Sequence, residues 1–135
     1  MNKYGLVAVK AVSYCSSGSK LSPRVAWDQI ATQIFKAGTA AQKKGCPRNA
    51  FLGLCEEGAV KGIPKGKYCN SIKNKKYALS AIQHLQRDQN LSEHPLVLWK
   101  KVLKGETKAH NSQMDVVIAL WNAGLVERIS ENSRK

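Results

Sequence analysis

Long apolar runs are missing from this sequence. The longest, Val116 to Trp121, has six residues, whereas a membrane-spanning helix needs about 20. The opening Met1-Asn2-Lys3-Tyr4-Gly5-Leu6-Val7 has no uninterrupted apolar segment and no cleavage pattern, so no secretory signal is evident. Acidic residues are also scarce: 9 Asp and Glu face 22 Lys and Arg, for a net charge of +13. That surplus favours contact with polyanions and fixes neither fold nor activity. The four cysteines, Cys15, Cys46, Cys55 and Cys69, form no CxxC, and His84, His94 and His110 are scattered without HxxxH spacing. A zinc site is therefore not expected. Four reduced thiols in a cytoplasmic protein are expected. GxSxG, HExxH, a P-loop and a Rossmann GxGxxG are absent, and no metal or cofactor is expected.

What is present points to one globular domain. The 135 residues are 43% hydrophobic and 23% charged, near globular averages. A chain of this length can bury roughly two-thirds of its unfolded surface. No internal repeat and no break in composition is visible along residues 1–135, with 130–135 expected as a frayed polar tail.

Apolar residues recur at three-and-four spacing from end to end, which predicts helices. Tyr4, Val7, Ala8, Ala11, Val12 and Cys15 share one face of a first helix, stopped by Ser16-Ser17-Gly18-Ser19. Ser22-Pro23 starts a second, with Ser as N-cap and Pro in the first helical position; Trp27, Ile30, Ile34 and Phe35 line it up to Gly38. A third begins near Cys46-Pro47 and ends at Gly58. Residues 59–70 read as a long basic loop. Helix returns from Ser71 with Tyr77, Ala78, Ala81, Ile82 and Leu85. Asn90 closes that segment, and Ser92 is the expected cap of a helix carrying Pro95, Trp99, Val102 and Leu103. Ser112 and Asp115 resemble a capping box before Met114, Val117, Ile118 and Trp121, and Gly124 is the expected stop. The prediction is an all-α bundle of about six helices, with Val7, Trp27, Ile30, Ile34, Phe51, Leu54, Ile82, Trp99, Val117, Ile118 and Trp121 in the core.

Two stretches, KKGCPRNAFLGLCEEGAVKGIPKGKY at 43–68 and HNSQMDVVIALWNAGL at 110–125, together with YGLVAVKAV and SPRVAWDQI, resemble a family of small bacterial proteins, a domain of unknown function. The resemblance implies a stand-alone bacterial cytoplasmic protein and implies no activity. Small basic proteins of this kind can travel on mobile elements such as integron gene cassettes.

Three features carry candidate chemistry. Cys46 follows Lys43 and Lys44 at a helix start, the setting of a nucleophilic thiol; the plainer reading is a small residue before Pro47. His110-Asn111-Ser112-Gln113 leads into Asp115, where His110 could act as a general base oriented by Asn111 or Asp115, and the helix start could hold an anion; capping is the plainer reading. A thiol-dependent hydrolase or transferase would join Cys46, His110 and Asp115. Glu56-Glu57 closes its helix against the dipole, so a cation is expected beside it, with Lys61 the nearest in sequence.

The third feature is charge. Residues 36–76 hold ten cations (Lys36, Lys43, Lys44, Arg48, Lys61, Lys65, Lys67, Lys73, Lys75, Lys76) and only Glu56 and Glu57. Lys43, Lys44, Lys61, Lys65, Lys67, Lys73 and Lys75, with Asn111, Ser112 and Gln113, are the candidate anion-binding residues. Tyr68 and Tyr77 lie among these lysines and could stack on bases if exposed. Lysine rather than arginine favours backbone contact over base readout. The last helix has no cation between Lys108 and Arg128, which ranks a sequence-specific DNA-binding regulator third. A non-enzymatic binding module for nucleic acid or another polyanion is the preferred reading, with the thiol enzyme as its alternative.

Overall fold

The computed structural model describes residues 2–16 and 21–129. The chain forms α1 (Lys3–Ser16), α2 (Pro23–Ile34), the single-turn α3 (Ala40–Lys43), α4 (Gly45–Glu56), α5 (Ile72–Arg87), α6 (Pro95–Leu103) and α7 (Gln113–Asn122), with a 3-10 segment over Gln89–Glu93. Among the described residues no strand forms, only an antiparallel bridge between Val60 and Val126. The fold is all-α, as the spacing predicted, and among the described residues no helix is long and apolar enough to cross a membrane. The expected stop at Ser17 to Ser19 and the tail from Ser130 lie outside the described residues.

Local signals explain most boundaries. Ser22 Oγ accepts the Val25 N–H, with Pro23 in the first turn, and Ser71 Oγ accepts the Asn74 N–H to start α5. Helix α4 ends with Gly58 at φ 73°; the Ala59 N–H reaches back to Leu54 O and the Gly58 N–H to Cys55 O. Helix α7 ends in the same way: Gly124 lies at φ 73°, with Leu125 bonding to Leu120 O and Gly124 to Trp121 O. Both are Schellman closures, which need the left-handed conformation that glycine adopts freely. Two expectations fail nearby. Ser92 does not cap α6: residues 89–93 continue as a 3-10 turn, and His94 takes the N-cap position without a side-chain bond. The core holds the predicted residues except Ile34 and Trp121, which sit in the last turns of their helices and are half-buried.

The matching helix ends expose an internal repeat that the sequence reading missed. Lys3-Tyr4-Gly5-Leu6 and Ala8 of α1 recur as Lys76-Tyr77-Ala78-Leu79 and Ala81 of α5. Pro23, Val25 and Trp27 of α2 recur as Pro95, Val97 and Trp99 of α6. Leu54, Gly58, Val60 and Ile63 recur as Leu120, Gly124, Val126 and Ile129. Burial repeats as well: Ala26, Trp27, Ile30 and Ala31 are buried, and so are Leu98, Trp99, Val102 and Leu103. Spacing hides the relationship, because Tyr4 to Tyr77 is 73 positions, Trp27 to Trp99 is 72 and Val60 to Val126 is 66. No single period aligns the halves.

The repeats interlock. Among the most extensive helix pairings, α4 packs on α5 and α7 on α1, each crossing to the other repeat. The Lys61 N–H donates to Leu125 O at 2.8 Å and the Glu127 N–H to Ala59 O at 2.7 Å, two bonds between corresponding positions of the repeats. One core cluster draws residues from both. At one end of the α4–α7 pair lies this bridge. The two helices pack on each other, and both end at it.

Candidate anion-binding groove and the start of the last helix

The polar cluster before α7 is assembled differently from a capping box. Ser112 lies at φ 68° and makes no side-chain cap. His110 Nε2 instead accepts the Met114 N–H at 3.0 Å. Gln113 is fully buried; its Oε1 accepts the Asn111 N–H at 2.7 Å and its Nε2 donates to Asn74 Oδ1 on α5 at 3.1 Å. Asp115 lies in the first turn of α7. The left-handed turn at Ser112 swings its hydroxyl away and brings the imidazole, two residues earlier, over the free amide. The His110 ring packs on Trp99, centroids 5.3 Å apart. Burial lowers the His110 pKa, Asp115 opposes that and Lys44 adds to it. With Nε2 accepting, the neutral ring carries its proton on Nδ1.

Cys46 is half-buried in the first turn of α4. No hydrogen bond joins it to His110 among the described residues. The Tyr77 phenol is pushed up first by burial and then by Glu106. Lys43 is exposed, and Lys44 Nζ sits 5.6 Å from the centre of the Tyr4 ring. Lys61, Lys65 and Lys67 are exposed in the loop after α4.

Glu56 and Glu57 find their cation, but it is not Lys61. Lys75 Nζ bonds Glu56 Oε2 at 2.7 Å and also pairs with Glu57. Glu56 Oε1 meanwhile accepts the N–H groups of Tyr68 and Cys69, at 2.9 and 3.0 Å. The Cys69 amide, the Lys75 ammonium and the Tyr68 amide hold the Glu56 carboxyl down at about 2. This clasp closes the 59–70 loop onto α4 and uses Lys75 internally. The expected stacking platforms are unavailable too. Tyr77 is buried against the Trp99 edge, centroids 5.0 Å apart. Tyr68 is half-buried, and its hydroxyl donates to Pro64 O.

The concave basic feature lies elsewhere, partly on residues the sequence reading passed over. Two cavities of about 320 and 340 Å³ adjoin along α5, sharing Tyr77 and Glu106. Lys73 and Lys108 border the first, Lys76 and Lys104 the second, and all four lysines are exposed. Lys73, Lys76, Tyr77 and Ser80 fall at i, i+3, i+4 and i+7, one stripe of the helix. The opposite wall is the turn after α6, where Lys104 (φ 51°) and Gly105 (φ 92°) are both left-handed. Trp99 Nε1 anchors that wall by donating to Lys108 O at 3.0 Å. Lys104 and Lys108 escaped notice because charge is mixed beyond residue 76; only folding brings them opposite Lys73 and Lys76.

A family model matches residues 1–127, reaching through both repeats to the bridge that joins them. The chain belongs to DUF6979, a family of unknown function. No curated protein and no solved structure matches it. The groove and the α7 start both lie inside the matched span.

Proposed function

We propose that this member of DUF6979 is a non-enzymatic binding module of the bacterial cytoplasm whose partner is a polyanion, recognised with low sequence specificity. The observation that carries this reading is the number of uncompensated cations. Of the ten cations in 36–76, Arg48 pairs with Asp28, and Lys75 with Glu56 and Glu57. The others have no carboxylate partner among the described residues. Four free cysteines suit a reducing compartment. Thiol catalysis by Cys46 and His110 is the weaker reading, because the His110 lone pair that a general base would use is already bonded to the Met114 amide.

Titration with duplex DNA, single-stranded DNA and a non-nucleic polyanion across salt tests the proposal. Four to six phosphate contacts give a log–log slope of roughly −3 to −5. Absence of binding to every polyanion at about 50 mM salt removes the reading.

A further inference from the structure

The internal repeat provides a comparison within one molecule. Beside the half-buried Tyr4, Phe35 packs on the ring at 4.7 Å, Lys44 Nζ lies 5.6 Å from the ring centre, and the hydroxyl donates to Ala41 O in α3 at 2.8 Å. Tyr77 is buried against Trp99. No helix corresponds to α3 between α6 and α7, and the chain from Lys104 to Lys108 forms the wall of a groove along the outer side of Tyr77. Four lysines border that groove, with the single carboxylate of Glu106, to which the Tyr77 hydroxyl donates at 3.4 Å.

We infer that this groove is the docking site of the polyanion, and that its occupant is the phosphodiester backbone of duplex nucleic acid. The inference rests on the polyanion reading above and adds the place and the partner. From Lys73 to Ser80 the α5 stripe runs about 10 Å, at 1.5 Å per residue. That length covers about two successive phosphates of one strand, whose spacing along the backbone is roughly twice the 3.4 Å axial rise. Four exposed lysines border the groove, and lysine meets phosphate as a point charge rather than as a reader of base edges. A single strand gains much of its affinity from stacking on exposed aromatic faces, and the buried Tyr77 offers none. A duplex needs no such platform and carries the higher charge density.

Lys104 stands on the rim of the groove as the left-handed C-cap of α6, its N–H bonded to Lys100 O, which is an ordinary way for a helix to end.

Binding of the full chain to a duplex DNA oligomer, followed across salt, decides the matter with two variants of equal charge change. One carries Lys73→Gln, Lys76→Gln, Lys104→Gly and Lys108→Gln; glycine is chosen at 104 because it relaxes the backbone. The other carries Lys10→Gln, Arg24→Gln, Lys36→Gln and Arg128→Gln, exposed cations that do not line the groove. The groove variant should lose at least tenfold in affinity at about 100 mM salt, and its slope should flatten by about 3. The control variant should change less than about threefold. Equal losses in both overturn the groove while leaving polyanion binding intact. A wild-type chain that binds no polyanion removes the underlying reading, and with it this one. Tighter binding to a single strand than to the duplex overturns the choice of partner. Circular dichroism of both variants confirms that the comparison is between folded proteins.

Discussion

His110 caps the last helix by accepting the Met114 N–H through Nε2 at 3.0 Å, four residues along the chain. An imidazole can do this only while Nε2 keeps its lone pair, so the cap depends on the neutral form. Burial lowers the folded-state pKa below the ordinary 6.5. The unfolded chain therefore takes up the proton first. The stability from this group is fully present above about pH 6.5 and is lost progressively as pH falls through the depressed folded value. His110→Ala should cost about 1 kcal/mol at neutral pH. Denaturant titrations from pH 7.5 to 5 should show the wild-type advantage shrinking toward the acid end. An advantage that grows on acidification contradicts the cap.

Ser112 and Gln113 should behave in opposite ways. The Ser112 side chain caps nothing and its φ is 68°, so Ser112→Gly should be neutral or stabilising by about 0.5 kcal/mol. Gln113→Ala removes a fully buried amide and strands the Asn111 N–H and the Asn74 carbonyl. A loss of about 2–3 kcal/mol is expected. Chemical melts of the two variants provide the check; a silent Gln113→Ala would mean that the link between α5 and α7 contributes nothing.

Gly53 and its counterpart Ala119 make a matched pair across the repeat. A Cβ at Gly53 would lie 2.7 Å from Lys75 Cα and 2.6 Å from Lys75 Cβ, where α4 and α5 touch. Gly53→Ala should therefore cost about 2 kcal/mol or more through overpacking. The same methyl group is already accommodated at Ala119, which is buried in α7. Thermal melts with Ala119→Gly alongside separate this clash from a general intolerance of change in the paired helices.

Acid should open the 59–70 loop by way of Glu56. Its carboxyl is lowered from 4.5 to about 2, so the folded state holds the charge more firmly than the unfolded chain does. This contribution is complete above about pH 4.5 and is lost as pH falls through about 2. Glu56→Gln keeps the shape, weakens the bonds to the Tyr68 and Cys69 amides and leaves Lys75 with Glu57. It should destabilise by about 2 kcal/mol at pH 7 and by less near pH 2. Faster amide exchange at Tyr68 and Cys69 would locate the effect.

Thiol labelling should rank the cysteines by burial. Cys55 is fully buried, and desolvation raises its thiol well above the usual range, with Cys15 adding to the rise. It should resist alkylation until the chain unfolds. Peptide mapping after timed labelling reads this directly. Modification of Cys46 ahead of Cys15 and Cys69 is the outcome that would revive a thiol role; equal or slower labelling leaves packing alone.

Sequence periodicity located each of the six longer helices, because burying one face imposes a three-and-four spacing on apolar residues regardless of the partner. The serine cap at Ser22 and the glycine stops at Gly58 and Gly124 were legible for a similar reason: each is satisfied within a few residues. Ser112 misled because the capping pattern matched while the backbone turned left-handed. The pairing of Lys75 with Glu56 and Glu57 escaped because it crosses the whole basic loop, and proximity in sequence had favoured Lys61.

The sequence by itself determined an all-α chain, its helix spacing and its excess of positive charge, all set by local chemistry and composition. Tertiary structure alone decided which lysines remain uncompensated, which tyrosines are buried, and which lysines meet across the groove beside α5. Those outcomes depend on contacts between residues tens of positions apart. Burial and charge pairing act through distance in space, and only the interlocked fold sets that distance.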